Sequence, residues 1–468
     1  VLRLGLSARV IMRRLPIGVS LAWMFIVLTF PFMGAIAYLF IGELRLGHRR
    51  AIRSTELQTP FHRWRTQLSK GDVDWSKHPA SAEALARMCE TTIGIPARAG
   101  NHVEFLTSSE QGLVRLIKDI DEAQKTCHLE FYIWAEGGLA DEVGNAVLRA
   151  AKRGVICRIL LDDVGSREFL RSEWADRFRE GCVAMQPALL ARIWRLPFVR
   201  FDLRLHRKIA VIDGSIAYTG SMNLVDSRFF KQSAGVGKWI DAAVRVEGPA
   251  VQPMAITFLG DWAQESEESV EQLRETGGVC DNRPVGQALV QVIPSGPAQA
   301  WATIERIVIA TIYSATKRVI LTTPYFVPDE AMMAALITAA QRGVDVTLIL
   351  PERVDSRLAW WASRANQGDL VASGVKVLLF RGGLLHTKSI AVDGEYSLFG
   401  SLNLDPRSLH LNFEITLAIY DAAFTAELEQ LQAEYAAESH VLNLAEWQAR
   451  GRIRAFIENA ARLLGPLL

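Results

Sequence analysis

His206-Arg207-Lys208-Ile209-Ala210-Val211-Ile212-Asp213, with Gly220-Ser221-Met222-Asn223 just after it, is matched in the other half of the chain by His386-Thr387-Lys388-Ser389-Ile390-Ala391-Val392-Asp393 with Gly400-Ser401-Leu402-Asn403. In both copies the glycine lies fourteen residues after the histidine. A single H-x-K-x4-D occurs by chance often enough to carry little weight. Two copies in register, each with G-S-x-N at the same offset, define an internal duplication. The residues between Lys and Asp read as a buried strand, and the alternation of a strand puts His and Lys on one face.

The duplication extends beyond the motifs. Phe131-Tyr132-Ile133-Trp134 is followed by a helical stretch ending Ala150-Ala151-Lys152-Arg153-Gly154-Val155, then by the strand-like Cys157-Arg158-Ile159-Leu160-Leu161. Pro324-Tyr325-Phe326-Val327, a helix ending Ala339-Ala340-Gln341-Arg342-Gly343-Val344, and Val346-Thr347-Leu348-Ile349-Leu350 repeat that order. Short apolar runs alternating with amphipathic stretches predict an α/β fold, with Gly154 and Gly343 capping their helices. The pattern predicts domains at 102–264 and 286–440, joined by an acidic surface linker at 265–285. Residues 51–101 read as a polar, partly helical connector and 441–468 as an amphipathic C-terminal segment.

A chain of 468 residues is too long for one ordinary core, in keeping with two domains. Lys and Arg (52) nearly balance Asp and Glu (51), so the chain as a whole has no electrostatic footprint for nucleic acid. The five cysteines, Cys89, Cys127, Cys157, Cys182 and Cys280, form no C-x-x-C pair, which argues against a zinc knuckle or disulfide framework and for a reducing, cytosol-facing domain. Ile17 to Gly42 contains no charged residue. As one helix it would run about 39 Å, enough to cross a hydrocarbon core of about 30 Å, so a transmembrane helix is expected over 17–42 within a membrane segment 1–50, with a kink at Pro31. Arginines flank it on both sides, Arg3, Arg9, Arg13 and Arg14 before and Arg45, Arg49, Arg50 and Arg53 after, so charge does not choose its orientation.

The motif residues suit phosphodiester chemistry. A neutral histidine nitrogen can attack phosphorus, and a second, protonated histidine can hand a proton to the departing alkoxide. His206 and His386 supply one each. Lys208 and Lys388 would neutralise the non-bridging oxygens, and Asn223, Asn403, Ser221 and Ser401 are candidate hydrogen-bond donors to them. No metal or other cofactor is required. Asp241, in Trp239-Ile240-Asp241, and Glu414, in Asn412-Phe413-Glu414, are candidates to hold the imidazoles in one tautomer. Asp213 and Asp393 belong to the motif and precede Gly214 and Gly394, a position that suits a turn as well as direct chemistry.

The doubled motif, the membrane segment, and the runs Glu130 to Trp134, Ala217 to Asn223, Thr323 to Pro328, Gly382 to Lys388 and Leu411 to Ile415 together resemble bacterial cardiolipin synthases of the phospholipase D superfamily. The resemblance implies two repeats packed as a pseudo-twofold pair around one site. It also implies that phosphatidylglycerol is the substrate, that two molecules of it give cardiolipin and glycerol through a phosphohistidine, favoured on His206, and that the protein is integral to the bacterial inner membrane. Other anionic phospholipids and the bilayer are then partners, and nucleic acid is not. A hydrolase using water as the acceptor is the alternative. That family usually carries two N-terminal membrane helices, whereas this chain shows one clear candidate. Pro187 to Arg204, interleaving Leu189, Leu190, Ile193, Trp194, Leu196, Phe198 and Phe201 with Arg192, Arg195, Arg200 and Arg204, reads equally as an interfacial segment or an ordinary amphipathic connector.

Overall fold

The computed structural model describes residues 2–13, 17–42, 50, 53, 56–57, 60–61, 64, 73–190, 200, 202–231, 234–297 and 302–463. Residues 191–199 and 201, the middle of the Pro187 to Arg204 stretch, fall outside that set.

The first repeat supplies β1 (Arg98–Leu106), β2 (Thr126–Phe131), β3 (Ile156–Asp162), β4 (Ala184–Ala188), β5 (Ile209–Ile212), β6 (Ile216–Gly220), β7 (Trp239–Ile240) and β8 (Ala243–Glu247). The second supplies β9 (Ala288–Ser295), β10 (Arg318–Thr322), β11 (Asp345–Pro351), β12 (Lys376–Phe380), β13 (Leu384–Leu385), β14 (Ser389–Val392), β15 (Tyr396–Gly400) and β16 (Glu414–Tyr420), and β17 (Ser439–Val441) follows. Fifteen of these form one sheet in the order β17-β12-β11-β10-β14-β15-β16-β9-β1-β8-β6-β5-β2-β3-β4. Read outward from the central antiparallel pair β1 and β9, the two halves mirror each other through seven strands, and β17 adds an antiparallel eighth to the second half. In each, four antiparallel pairings lead to a parallel run, β2-β3-β4 or β10-β11-β12.

The parallel connections need crossover helices, and the repeated helices supply them. Leu139–Lys152 and Glu330–Gln341 both end on a glycine at positive φ, Gly154 at 89° and Gly343 at 87°. There the Val155 N–H reaches Ala150 O and the Val344 N–H reaches Ala339 O, both at 3.1 Å, the closing bond of a Schellman cap. On β5, Ile209 and Val211 enter a central apolar cluster while Ala210 and Ile212 enter an outer one, as a two-residue period requires. The central cluster is shared by the halves: the helix Val251–Glu265 contributes Phe258 and Trp262, and the helix Ala422–Ala437 contributes Phe424 and Leu428. Each repeat has a further cluster under its outer helices.

Four boundaries differ from expectation. β1 begins at Arg98, inside the stretch read as connector, and Leu57 and Phe61 of that stretch are buried in the central cluster. The linker 265–285 holds a helix, Val270–Thr276, closed by a Ser269/Gln272 capping box, with Val270 and Leu273 buried. β17 carries the second unit past residue 440 by pairing with β12. Finally, Ile17 to Gly42 is not one helix. It runs as Ile17–Thr29, then Pro31–Ala37, then a π-helical turn Tyr38–Gly42, and among the described residues no helix is long and apolar enough to cross a membrane. Proline lacks an N–H and pushes the preceding residue out of the helical region; Phe30 accordingly sits at φ −121°, ψ 74°.

Candidate active site

Both H-x-K segments lie in extended backbone immediately before their strands, β5 and β14, so each histidine and lysine emerges at the same end of the sheet. What lies opposite them comes from the other repeat. Leu205 bridges Phe413 in parallel, and the His206 N–H donates to Phe413 O at 2.9 Å. In the mirror position β13 pairs with β7, and the His386 N–H donates to Ile240 O at 2.8 Å. The residue after Phe413 is Glu414, and the residue after Ile240 is Asp241. Each histidine therefore meets the carboxylate of the opposite half: His206 Nδ1 lies 2.8 Å from Glu414 Oε1 and 2.9 Å from Oε2, and His386 Nδ1 lies 2.6 Å from Asp241 Oδ1. A Nδ1–H committed to a carboxylate leaves Nε2 as the ring atom with a lone pair.

Burial dominates the electrostatics. It pushes both imidazoles down to about 4; Glu414 opposes this for His206 and Asp241 for His386, while Lys208 and Lys388 add to it at both. The free site thus holds two neutral imidazoles at neutral pH. Lys208 is brought down by burial to about 8, and Lys388 falls well below the usual lysine range for the same reason. Each ammonium donates to the carbonyl of its own histidine, Lys208 Nζ at 2.7 Å from His206 O and Lys388 Nζ to His386 O. A pair of buried ammonium groups beside two ring nitrogens is suited to an anion with non-bridging oxygens.

The remaining motif residues divide. Gly220 and Gly400 are where β8 and β16 pass closest: a Cβ would stand 2.6 Å from Ala242 O at the first and 2.3 Å from Ile415 O at the second. The following serines bind those strands. Ser221 exchanges hydrogen bonds with Ala242, and Ser401 donates to Glu414 Oε2 while accepting the Ile415 N–H at 3.0 Å. Their hydroxyls are engaged with the carboxylate-bearing strands, a supporting position. Asn223 accepts the Ile133 N–H at 3.1 Å and keeps a buried Nδ2 without a partner; Asn403 is buried with its Oδ1 unpartnered. Asp213 and Asp393 stand at the far ends of β5 and β14, away from the histidines. Asp213 accepts the N–H groups of Gln124, Lys125 and Thr126, and Asp393 those of Thr316, Lys317 and Arg318, at 2.7–2.9 Å. With φ of 51° and 54°, they make the turn and tie it to the start of β2 or β10.

Four residues beside the site escaped the reading of the sequence. Arg207, between His206 and Lys208, points to the opposite face, where it donates to Glu414 O at 2.9 Å and Ser295 O at 3.0 Å and pairs with Asp261. Its available signal was strand alternation, which puts the middle residue of H-x-K on the face opposite His206 and Lys208. Asp162 accepts the Leu205 N–H at 2.9 Å, fixing the backbone ahead of His206. The Tyr132 ring lies 5.0 Å from that of His206, as Trp239 lies 4.6 Å from His386. Among the described residues, no group of three or more His, Cys, Asp or Glu is arranged to hold a metal ion.

Two α/β repeats that share one centre of paired histidines, lysines and crossed carboxylates define a protein of the phospholipase D type. A family profile described as "Cardiolipin synthase, PLD-like domain" matches residues 116–262 and 308–434, and one described as "Phospholipase_D-nuclease N-terminal" matches 2–43. The chain belongs to the cardiolipin synthase family of phospholipase D-like proteins. It is 43% identical to cardiolipin synthase A of Erwinia tasmaniensis over 465 residues, 99% of this chain and 96% of the relative. With cardiolipin synthase A of Cronobacter sakazakii the identity is 42% over the same shares. The crystal structure of phosphatidylserine synthase from Haemophilus influenzae Rd KW20 superposes with a TM-score of 0.60 at 16% identity, covering 83% of this chain and 100% of that one, a likeness of fold alone.

Proposed function

We propose that this protein is a phosphatidyltransferase that makes cardiolipin and glycerol from two molecules of phosphatidylglycerol. The observation that carries the reading is the crossed pairing of His206 with Glu414 and His386 with Asp241, which makes one site out of two motifs. Whole-length similarity to cardiolipin synthase A proteins selects phosphatidyl transfer among phosphodiester reactions.

In this reading His206 Nε2 attacks the phosphorus of the first lipid, forming a P–N bond as the P–O bond to the headgroup glycerol breaks. His386, protonated once the lipid's negative charge is seated between the lysines, gives its proton to the departing alkoxide. A hydroxyl of the second lipid then passes its proton back to His386 and attacks phosphorus, breaking the P–N bond and freeing His206. Lys208, Lys388 and the Asn223 amide meet the non-bridging oxygens. Asp213 and Asp393 hold the fold of each motif and do not touch the phosphate. The atoms balance without nucleotide, metal or other cofactor.

Residues 2–42 anchor the chain in the bacterial inner membrane. Ile17, Leu21, Phe25, Phe32 and Met33 are exposed on two apolar helical pieces that fold back on each other at Phe30, with the Trp23 ring centroid 5.3 Å from that of Tyr38, and exposed apolar surface of this kind suits a lipid boundary. The catalytic repeats face the cytoplasm, consistent with five free cysteines.

Purified protein in phosphatidylglycerol liposomes should release one glycerol per cardiolipin with no added nucleotide or metal. Phosphatidic acid as the sole product would replace transfer by hydrolysis. His206→Asn and His386→Asn should each abolish turnover; activity retained in either would show that the two motifs do not form one site.

A further inference from the structure

The helix Arg452–Leu463 has two faces with opposite fates. Its inner face is fixed by Glu458, fully buried, which accepts from Arg364 at 3.0 Å, Arg450 at 2.7 Å and Arg454 at 3.3 Å. Ala461 packs there with Val327 and Ala362. On the outer face Ile453 is 80% exposed, Phe456 74% and Leu463 78%, with Ile457 beside them at 40%. Arg452 is exposed at the border of this stripe and Arg462 on the far flank of the helix, and the helix's one carboxylate is the inward Glu458. The outer face is therefore apolar and cationic, with no acid on it.

Its position relates it to the site. Val327 lies two residues after Tyr325, whose hydroxyl donates to Asp355, a carboxylate near His386 that pairs with Lys231 at 3.2 Å. The helix packs on the helix Arg357–Ala372 and on Val327, at the end of the sheet where β10 finishes and the histidine-bearing segments emerge. On the first repeat that end carries Phe229, 62% exposed, with the Arg228 guanidinium 5.6 Å from its ring centroid. That arginine is paired with Asp226, so the unpaired cationic and apolar surface is the one on the helix 452–463.

We propose that the outer face of helix 452–463 is an interfacial docking surface for an anionic phospholipid bilayer, which lays the mouth of the active site on the membrane that supplies its lipids. Charge complementarity selects that occupant: arginines without acidic neighbours suit lipid phosphates, and a stripe at i, i+3, i+4 suits the acyl boundary. The inference rests on the reading of the substrate as a bilayer lipid.

The test uses the full chain carrying Cys182→Ser, with a nitroxide attached through Phe456→Cys. In liposomes of phosphatidylglycerol and phosphatidylcholine the label should be more accessible to oxygen than to a water-soluble nickel chelate. Charge reversal by Arg452→Glu with Arg462→Glu, and polar replacement by Ile453→Ser with Phe456→Ser, should each cut turnover of bilayer phosphatidylglycerol by about tenfold. Turnover of a short-chain, monomerically dispersed phosphatidylglycerol should stay within about twofold, since these side chains point away from the core. An aqueous label in liposomes, or equal losses on both substrates, would overturn the docking surface. So would a label immobilised only as protein concentration rises, which would give the face to a second copy of the chain. Wild-type protein that makes no cardiolipin from either substrate would sink the transfer reading instead, while the label's depth would still report on docking.

Discussion

The carboxylates behind the histidines carry the sharpest residue-level expectation. Burial alone would raise Glu414, yet His206, Lys208 and the Ser401 hydroxyl hold it below the usual range; Asp241 is lowered in the same way by His386, Lys388 and Ser221. Both therefore stay ionised and keep the imidazole Nδ1–H pointed away from substrate. Glu414→Gln or Asp241→Asn should lower kcat by roughly 10²–10⁴ with KM little changed, because an amide permits the wrong tautomer. Steady-state kinetics on dispersed phosphatidylglycerol would read this, and a loss confined to KM would refute it. The histidines also make stability depend on pH. Their folded values of about 4 lie below the ordinary histidine value of 6.5, so in acid the unfolded chain binds protons that the folded chain refuses. Stability should be unaffected by these two groups above pH 6.5 and should fall as pH drops from 6.5 toward 4. A His206→Asn, His386→Asn double variant should show a flatter fall in Tm over that window; an unchanged slope would mean the imidazoles are not held neutral. His206, Lys208, His386 and Lys388 were legible because repetition exposed them. The carboxylate candidates were legible too, but not which histidine each one meets, since that depends on Leu205 bridging Phe413 across a separation of 208 residues.

At the scale of elements, the motif aspartates separate structure from chemistry. Asp213 stitches the β5–β6 turn to the start of β2 through three N–H groups, and Asp393 does the same at β10. Asp213→Ala strands those donors and leaves alanine at a positive φ, a cost of about 1–3 kcal/mol. The expected result is a lower Tm with turnover per folded molecule largely retained, measured by thermal unfolding alongside active-site titration. Turnover lost at an unchanged Tm would return the aspartates to the chemistry. Helices and strands were legible where the pattern was periodic, as at Leu139–Lys152 and β5. The helix Val270–Thr276 was not, because its acidic, glycine-flanked sequence reads as linker and only its capping box and two buried side chains make it helical. At Phe30 the place was legible and the extent was not: Pro31 marked a kink within one helix, and the chain instead starts a new helix there.

For the whole molecule, the duplication implies two domains, but the halves are not independent. β9 pairs with β16 along Leu289 to Ser295 on one side and with β1 on the other, so the sheet runs unbroken through the midline. The central core draws on both halves, from Ile209 and Phe258 to Phe399 and Leu428. Arg207 spans the junction, donating to Glu414 O and Ser295 O from the first repeat while pairing with Asp261. A half-chain alone would expose β1 or β9 as a long sheet edge, open its share of the apolar core to water and leave its histidine without a carboxylate. Residues 1–264 or 265–468 expressed singly should therefore aggregate or fail to unfold cooperatively, and neither should form cardiolipin. Co-expressed, they should reassemble, because the shared sheet and core supply a large interface that is mostly apolar. Reassembly should also be selective: a first half carrying His206→Asn should stay inactive with a wild-type second half, since His386 alone cannot be both nucleophile and acid. Cardiolipin formed by a single half, or by that mixed pair, would show that one motif suffices and that the crossed carboxylates are a feature of packing alone.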